Sequence, residues 1–114
     1  MSTLISKLDV IEQRHAEVME KLSESAVLVD PAQYQRFARL HAELNPVVEG
    51  SHRLKKLLQE LEDARGLIQE AIDPEMREMA TAELADLEQR RETLEASLHL
   101  LLLPKDPTDD RNII

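Results

Sequence analysis

Between Asp30-Pro31 and Ile72-Asp73-Pro74 an apolar or small residue recurs at Phe37, Leu40, Leu44, Val47, Ser51, Leu54, Leu58, Leu61, Ile68 and Ile72. The steps alternate between three and four, with Arg65 filling the gap before Ile68. That spacing holds one stripe on one side of an α-helix and fits no strand. Asp30 is a good N-cap, Pro31 suits the first helical position, and Gln33 stands where a capping box wants Glu or Gln. A helix of some 42 residues would span about 63 Å, more than the width of a compact domain of this size. The segment therefore reads as a spine with shorter helices laid along it. Pro46 removes one backbone donor and Gly50 loosens the same turn. Val47, Ser51 and Leu54 nevertheless keep the stripe in phase, so a kinked but continuous helix is predicted.

The segments on either side obey the same rule. Leu4, Leu8, Ile11, His15, Val18 and Leu22, widened by Ile5 and Met19, mark a first helix over roughly Ser2 to Glu24. A short loop, Ala26 to Val29, then turns the chain back along the start of the spine. At the far end Asp73 precedes a proline, which disfavours helical backbone there and lets Asp73 cap a new helix from Pro74 to about Leu102. Glu75 and Glu78 favour the positive N-terminal end of that helix. Its stripe is Met76, Ala80, Leu84, Leu87, Leu94, Leu98 and Leu101, interrupted by Arg91. Both outer helices reach the Pro46 region from opposite ends, so the middle is expected to be three helices thick and the ends two. The fold class is all-α: an elongated antiparallel three-helix hairpin or bundle around one long central helix. Tyr34 and Phe37, the only aromatic residues, are expected to plug one end of it.

Residues 1–103 form the helical domain in this reading. From Pro104 to Asn112 the chain carries two prolines and no large apolar residue, the texture of a Pro/Asp-rich linker. Ile113 and Ile114 read as the first residues of a strand in a further domain, so the 104–114 segment is expected to lead into a missing core and the chain to be a piece of a larger protein.

Composition narrows the function classes. A net charge of −9, from 14 Lys and Arg against 23 Asp and Glu, repels phosphate and argues against free DNA or an anionic membrane as a primary ligand. Without cysteine there is no disulfide or thiolate chemistry, which fits a cytoplasmic location. The N-terminus lacks the apolar core of a signal peptide, and the longest apolar runs are far shorter than the ~20 residues that span a bilayer.

The most tempting chemistry is a repeated Glu-x-x-His, Glu12 with His15 and Glu49 with His52, the spacing used in di-iron bundles. The helix from Pro74 offers Ala80, Leu84, Leu87 and Leu94 inward and its glutamates outward, so the two further carboxylates such a centre needs have no source. His15, His41 and His99 read as core-edge or surface residues, Met76 and Met79 as core filler, and Arg53, Lys55 and Lys56 as a solvated basic cluster. No residue is assigned as catalytic, cofactor-binding or metal-binding, and no cofactor is expected. A thin bundle without a cleft is not expected to be an enzyme.

Periodicity alone stops at a helical interaction module. Two stretches go further: Asp73-Pro74-Glu75-Met76-Arg77-Glu78-Met79-Ala80 followed by Glu83-Leu84, and Leu101-Leu102-Leu103-Pro104-Lys105-Asp106-Pro107 followed by Asp109-Asp110-Arg111-Asn112. With Tyr34, Phe37 and Glu43-Leu44-x-Pro46-Val47-Val48, they resemble the N-terminal helical domain of the bacterial class I peptide chain release factors, specifically the factor 1 branch. The resemblance covers essentially the whole chain. It implies an arm that sits near the factor-binding region of the large ribosomal subunit and communicates with the class II release factor, a GTPase. The −9 charge adds the expectation that ribosomal protein rather than RNA is its contact, and a cytoplasmic monomer is expected. In that family a core domain reads the stop codon and carries a Gly-Gly-Gln loop. The only glycines here are Gly50 and Gly66, so those residues have no counterpart in this chain. The alternative left open by the residues themselves is a free-standing acidic adaptor or chaperone-like module.

Overall fold

In the computed structural model, which describes residues 3–103, the spine is one unbroken helix, α3, from Pro31 to Glu70. Before it come α1 (Thr3–Leu22) and a single helical turn, α2 (Ser25–Leu28); after it comes α4 (Pro74–Leu101). No strand occurs among the described residues. The expected linker from Pro104 and the two terminal isoleucines lie outside them. The predicted loop at Ala26 to Val29 is instead mostly α2, whose Val27 is buried against the bundle.

The start signals act as their chemistry requires. The Asp30 carboxylate accepts hydrogen bonds from the backbone N–H of Ala32 (3.1 Å) and Gln33 (3.3 Å), two of the donors that a helix start leaves unpaired. Asp73 accepts from Glu75 N–H at 3.0 Å and is itself extended, as a residue before proline must be. Within α3, Pro46 is tolerated because Val47, Val48, Gly50 and Ser51 immediately follow it into the core. Tertiary packing, rather than local propensity, sustains the helix there. Asn45 bridges the defect by donating to Glu49 Oε1 at 3.4 Å.

α1 and α4 each run antiparallel along α3, and the molecule measures 64 × 37 × 21 Å. Its radius of gyration, 20.0 Å, far exceeds the ~13 Å of a compact 100-residue domain. Two clusters form the core. Leu4 and Leu8 of α1, Val47 and Leu54 of α3, and Leu98 of α4 meet at the waist, where three helices overlap. Leu57, Leu61 and Ala64 of α3 pack on Leu87 of α4 in the two-helix half. Gly50 lies at the waist for a steric reason: a Cβ there would stand 2.5 Å from Leu98 Cδ2 and 3.3 Å from its Cγ. The residue that weakens the helix locally is thus the one that lets α4 approach.

Three expectations are corrected. Tyr34 is exposed and Phe37 only half-buried, so the aromatic pair does not plug the bundle. α3 ends at Glu70, two residues before the stripe was predicted to end, and Ile72 therefore falls in the turn, 95% exposed. Met76 and Met79, predicted as core filler, are 57% and 72% exposed. The first turn of α4 is exposed, and burial on α4 begins only at Ala80.

Candidate functional site

Two places on this scaffold bring chemically distinctive groups together. The first is a polar knot between α1 and α3. Glu12, from α1, accepts from Ser51 Oγ at 2.8 Å and from Lys55 Nζ at 2.5 Å, and its other oxygen lies 3.1 Å from His52 Nε2. Lys55 also donates to Asp9 at 2.7 Å. The hydrogen bond from Lys55 holds the Glu12 carboxyl below its ordinary value of 4.5, against the opposing pull of partial burial and with help from Ser51 and His52. The bonds to Asp9 and Glu12 raise the Lys55 ammonium above its ordinary 10.5. Ser51 is fully buried and satisfied by this arrangement.

The knot redistributes the Glu-x-x-His pairs. Glu12 reaches His52 on the facing helix rather than His15 on its own, while Glu49 takes a hydrogen bond from Asn45. His15 stacks on His41 with ring centroids 4.6 Å apart. No three His, Cys, Asp or Glu side chains converge on one point among the described residues. Nor is the basic cluster uniform: Arg53 and Lys56 are exposed, but Lys55 is committed to two carboxylates. His15 Nε2 and Arg91 Nε are buried without a hydrogen-bond partner among the described residues.

The second place is the turn joining α3 to α4. Ala71 leaves the helix with extended backbone, and its carbonyl accepts from Arg77 Nη2 at 2.8 Å, which ties the start of α4 to the end of α3. Leu67, Ile72, Met76 and Met79 then line an open apolar groove above Ala80, with the carboxylates of Glu70, Asp73 and Glu83 at its rim. The sequence pattern places Ile72 and Met76 on buried stripes and Met79 in the core, while Leu67 lies off the stripe. The available signal was the Asp73-Pro74 stop itself: a helix that ends before it must leave Ile72 off the stripe. Of the acidic positions on the outer faces, Glu17 and Glu62 are exposed, and Glu88 lies 3.6 Å from Arg65.

No described helix is long and apolar enough to cross a membrane. Residues 11–114 match the family profile of the PCRF domain. The chain is 45% identical over 111 residues to the peptide chain release factor 1 of Geobacter sulfurreducens, covering 97% of this chain and 30% of that protein. It is 40% identical over 111 residues to the protein of the same name from Carboxydothermus hydrogenoformans, and 41% identical to that from Acidobacterium capsulatum. In both, 97% of this chain aligns with 31% of the relative. The chain therefore spans a little under a third of the length of the curated relatives it matches. No solved structure matches it.

Proposed function

This chain belongs to the PCRF-domain family, and from that premise we propose that it is the N-terminal helical arm of a class I peptide chain release factor, acting in stop-codon-dependent translation termination in the cytoplasm. The observation that carries the reading is the 40–45% identity to release factor 1 proteins across 97% of the chain. Residues 1–103 are the arm and residues 104–114 lead into the rest of the factor. The arm contributes no catalytic residue. Peptide release belongs to the part of the protein outside this segment, where the family resemblance puts the Gly-Gly-Gln loop.

The arm's task is docking, on the factor-binding region of the large subunit and toward the class II GTPase. Charge favours a protein partner there over ribosomal RNA. The chain carries −9, and contact with phosphates would need Lys and Arg gathered on one face. An acidic rod complements basic ribosomal proteins instead. Because the chain has no cysteine, single Cys substitutions at Glu17, Glu62 and Glu88 give site-specific cross-linking in a termination complex. Protein partners at the stalk base or the class II factor are expected. Cross-links that go overwhelmingly to RNA would overturn the assignment. The competing reading, a free-standing acidic adaptor, is decided by the residues encoded after Ile114: a domain containing Gly-Gly-Gln supports termination, and an immediate stop codon removes it.

A further inference from the structure

We infer that the groove at the α3–α4 turn is a docking site for an amphipathic helix of a partner protein whose apolar face is flanked by Lys and Arg. The apolar half of the argument is burial. Ile72 at 95% exposure, Met79 at 72%, Met76 at 57% and Leu67 at 48% stand together around one concavity, at the turn that joins α3 to α4. Other large apolar side chains are exposed elsewhere, Val10, Val29 and Leu100 among them, but these four line a single groove, and such a patch marks an interaction surface. Two of them are methionines, whose unbranched side chains refit to the partner that arrives.

The charged half is composition. Between Gly66 and Gln89 stand seven carboxylates and one arginine. Asp86 and Glu88 pair with Arg90 and Arg65 just outside that stretch, and exposed Arg77 donates to the Ala71 carbonyl, so Glu70, Asp73, Glu75, Glu78 and Glu83 leave the groove's surroundings net acidic. An apolar groove inside such a field selects its occupant by charge. Nucleic acid and anionic bilayers are repelled. A second copy of the chain would set the same carboxylates against each other. A basic amphipathic helix satisfies both halves at once: its anchors at one-turn spacing enter between Leu67 and Met79, and its flanking cations meet Glu70, Asp73 and Glu83. The inference rests on the docking role proposed above only for where the partner is found, not for the chemistry of the groove.

The test uses the 114-residue chain with methyl-labelled methionine, whose four methionines report separately by NMR. The probe is a synthetic amphipathic peptide of about 18 residues with leucines at helical spacing and lysines flanking them. Its counterpart carries glutamates in place of the lysines. The lysine peptide should move the Met76 and Met79 signals and leave Met19 in place. Ile72→Asp should weaken binding about tenfold or more, the scale of one buried isoleucine, while Val10→Asp, on the exposed face of α1, should not. Because Ile72 touches almost nothing, its substitution leaves the fold intact, as an unchanged melt would verify. The inference is overturned if no signal moves or if the glutamate peptide binds as well. It is also overturned if Met76 and Met79 shift with protein concentration alone, which would make a second copy the occupant, or if they respond to an RNA duplex or anionic vesicles. Failure here leaves the ribosome cross-links standing, and failure of those leaves the groove's selectivity standing, so the two are separable.

Discussion

The waist and the turn are built from the same α3 and α4, yet they use their side chains in opposite ways. At the waist three helices converge, Leu8 and Leu54 lose all contact with solvent, and even a serine is enclosed and hydrogen-bonded. At the turn two helices end together, and Ile72 and the methionines remain outside. The difference is the number of neighbours available, not the hydrophobicity of the residues. A helix hairpin has a core only where a third element or an interlocking pair of stripes covers it. The thick region can specify the fold while the thin region stays available to a partner.

The largest expected effect tests that division directly. Leu54→Ala, at the centre of the waist, should cost about 2–5 kcal/mol in denaturant unfolding, because little can collapse into the space it leaves. If Leu54→Ala melts like the parent chain, the waist is not the core.

Next come the groups that hold α1 and α4 to the spine. Gly50→Ala drives a methyl into buried Leu98, an overpacking cost of about 1–3 kcal/mol that exceeds the gain of up to ~1 kcal/mol from helix propensity, so a net loss is expected. Glu12→Gln should destabilise by roughly 1–3 kcal/mol, because Lys55 and Ser51 lose an ionised acceptor. The pH dependence has a definite sign. Glu12 titrates below 4.5 when folded, so its contribution is present above 4.5 and is lost as pH falls through the lower, folded value. Lys55 titrates above 10.5 when folded, so its contribution is present below 10.5 and is lost as pH rises through the higher, folded value. The gap in stability between the parent and Glu12→Gln should therefore close in acid and persist at neutrality. A gap that is unchanged below pH 4 would mean that the carboxylate is not the active form.

Toward the turn the effects shrink and change sign. A Cβ at Gly66 meets nothing within 4 Å, so Gly66→Ala should stabilise the chain by about 0.5–1 kcal/mol. Two glycines in one helix should thus answer the same substitution in opposite directions. Least of all, Ile72→Asp should shift stability by no more than about 0.5 kcal/mol, since Ile72 is already in water.

The ends of the helices were legible because they depend on local chemistry: Asp30-Pro31 and Asp73-Pro74 each place a capping carboxylate before a proline, and both cap as expected. The middle of the spine was legible as far as Leu61. Beyond it the stripe method failed for a geometric reason. Near the waist α3 faces α1 on one flank and α4 on the other, whereas farther along it faces α4 alone, so Ala64 is buried and Ile72 is not, and the shift already shows at Leu57, buried off the stripe. A single stripe cannot represent a buried face that narrows along the helix. The polar knot was unreadable for another reason. Glu12 has a histidine three residues away, which spacing finds, but its actual partners lie some forty residues along the chain, on α3. Only the placement of α1 against Ser51 and Lys55 brings them together.

The close contact at Gly50 has a mechanical consequence. From Gly50 to Glu70 the spine rises about 30 Å; α1 accompanies it as far as the Lys55–Leu58 turn, and α4 alone beyond. The two-helix half is a lever whose fulcrum is the seat of Leu98 on Gly50. A tilt of about 10° at that seat carries the turn about 5 Å sideways, the pitch of one helical turn. A side chain added or removed at the fulcrum therefore re-aims a surface that lies several helical turns away and that it never touches.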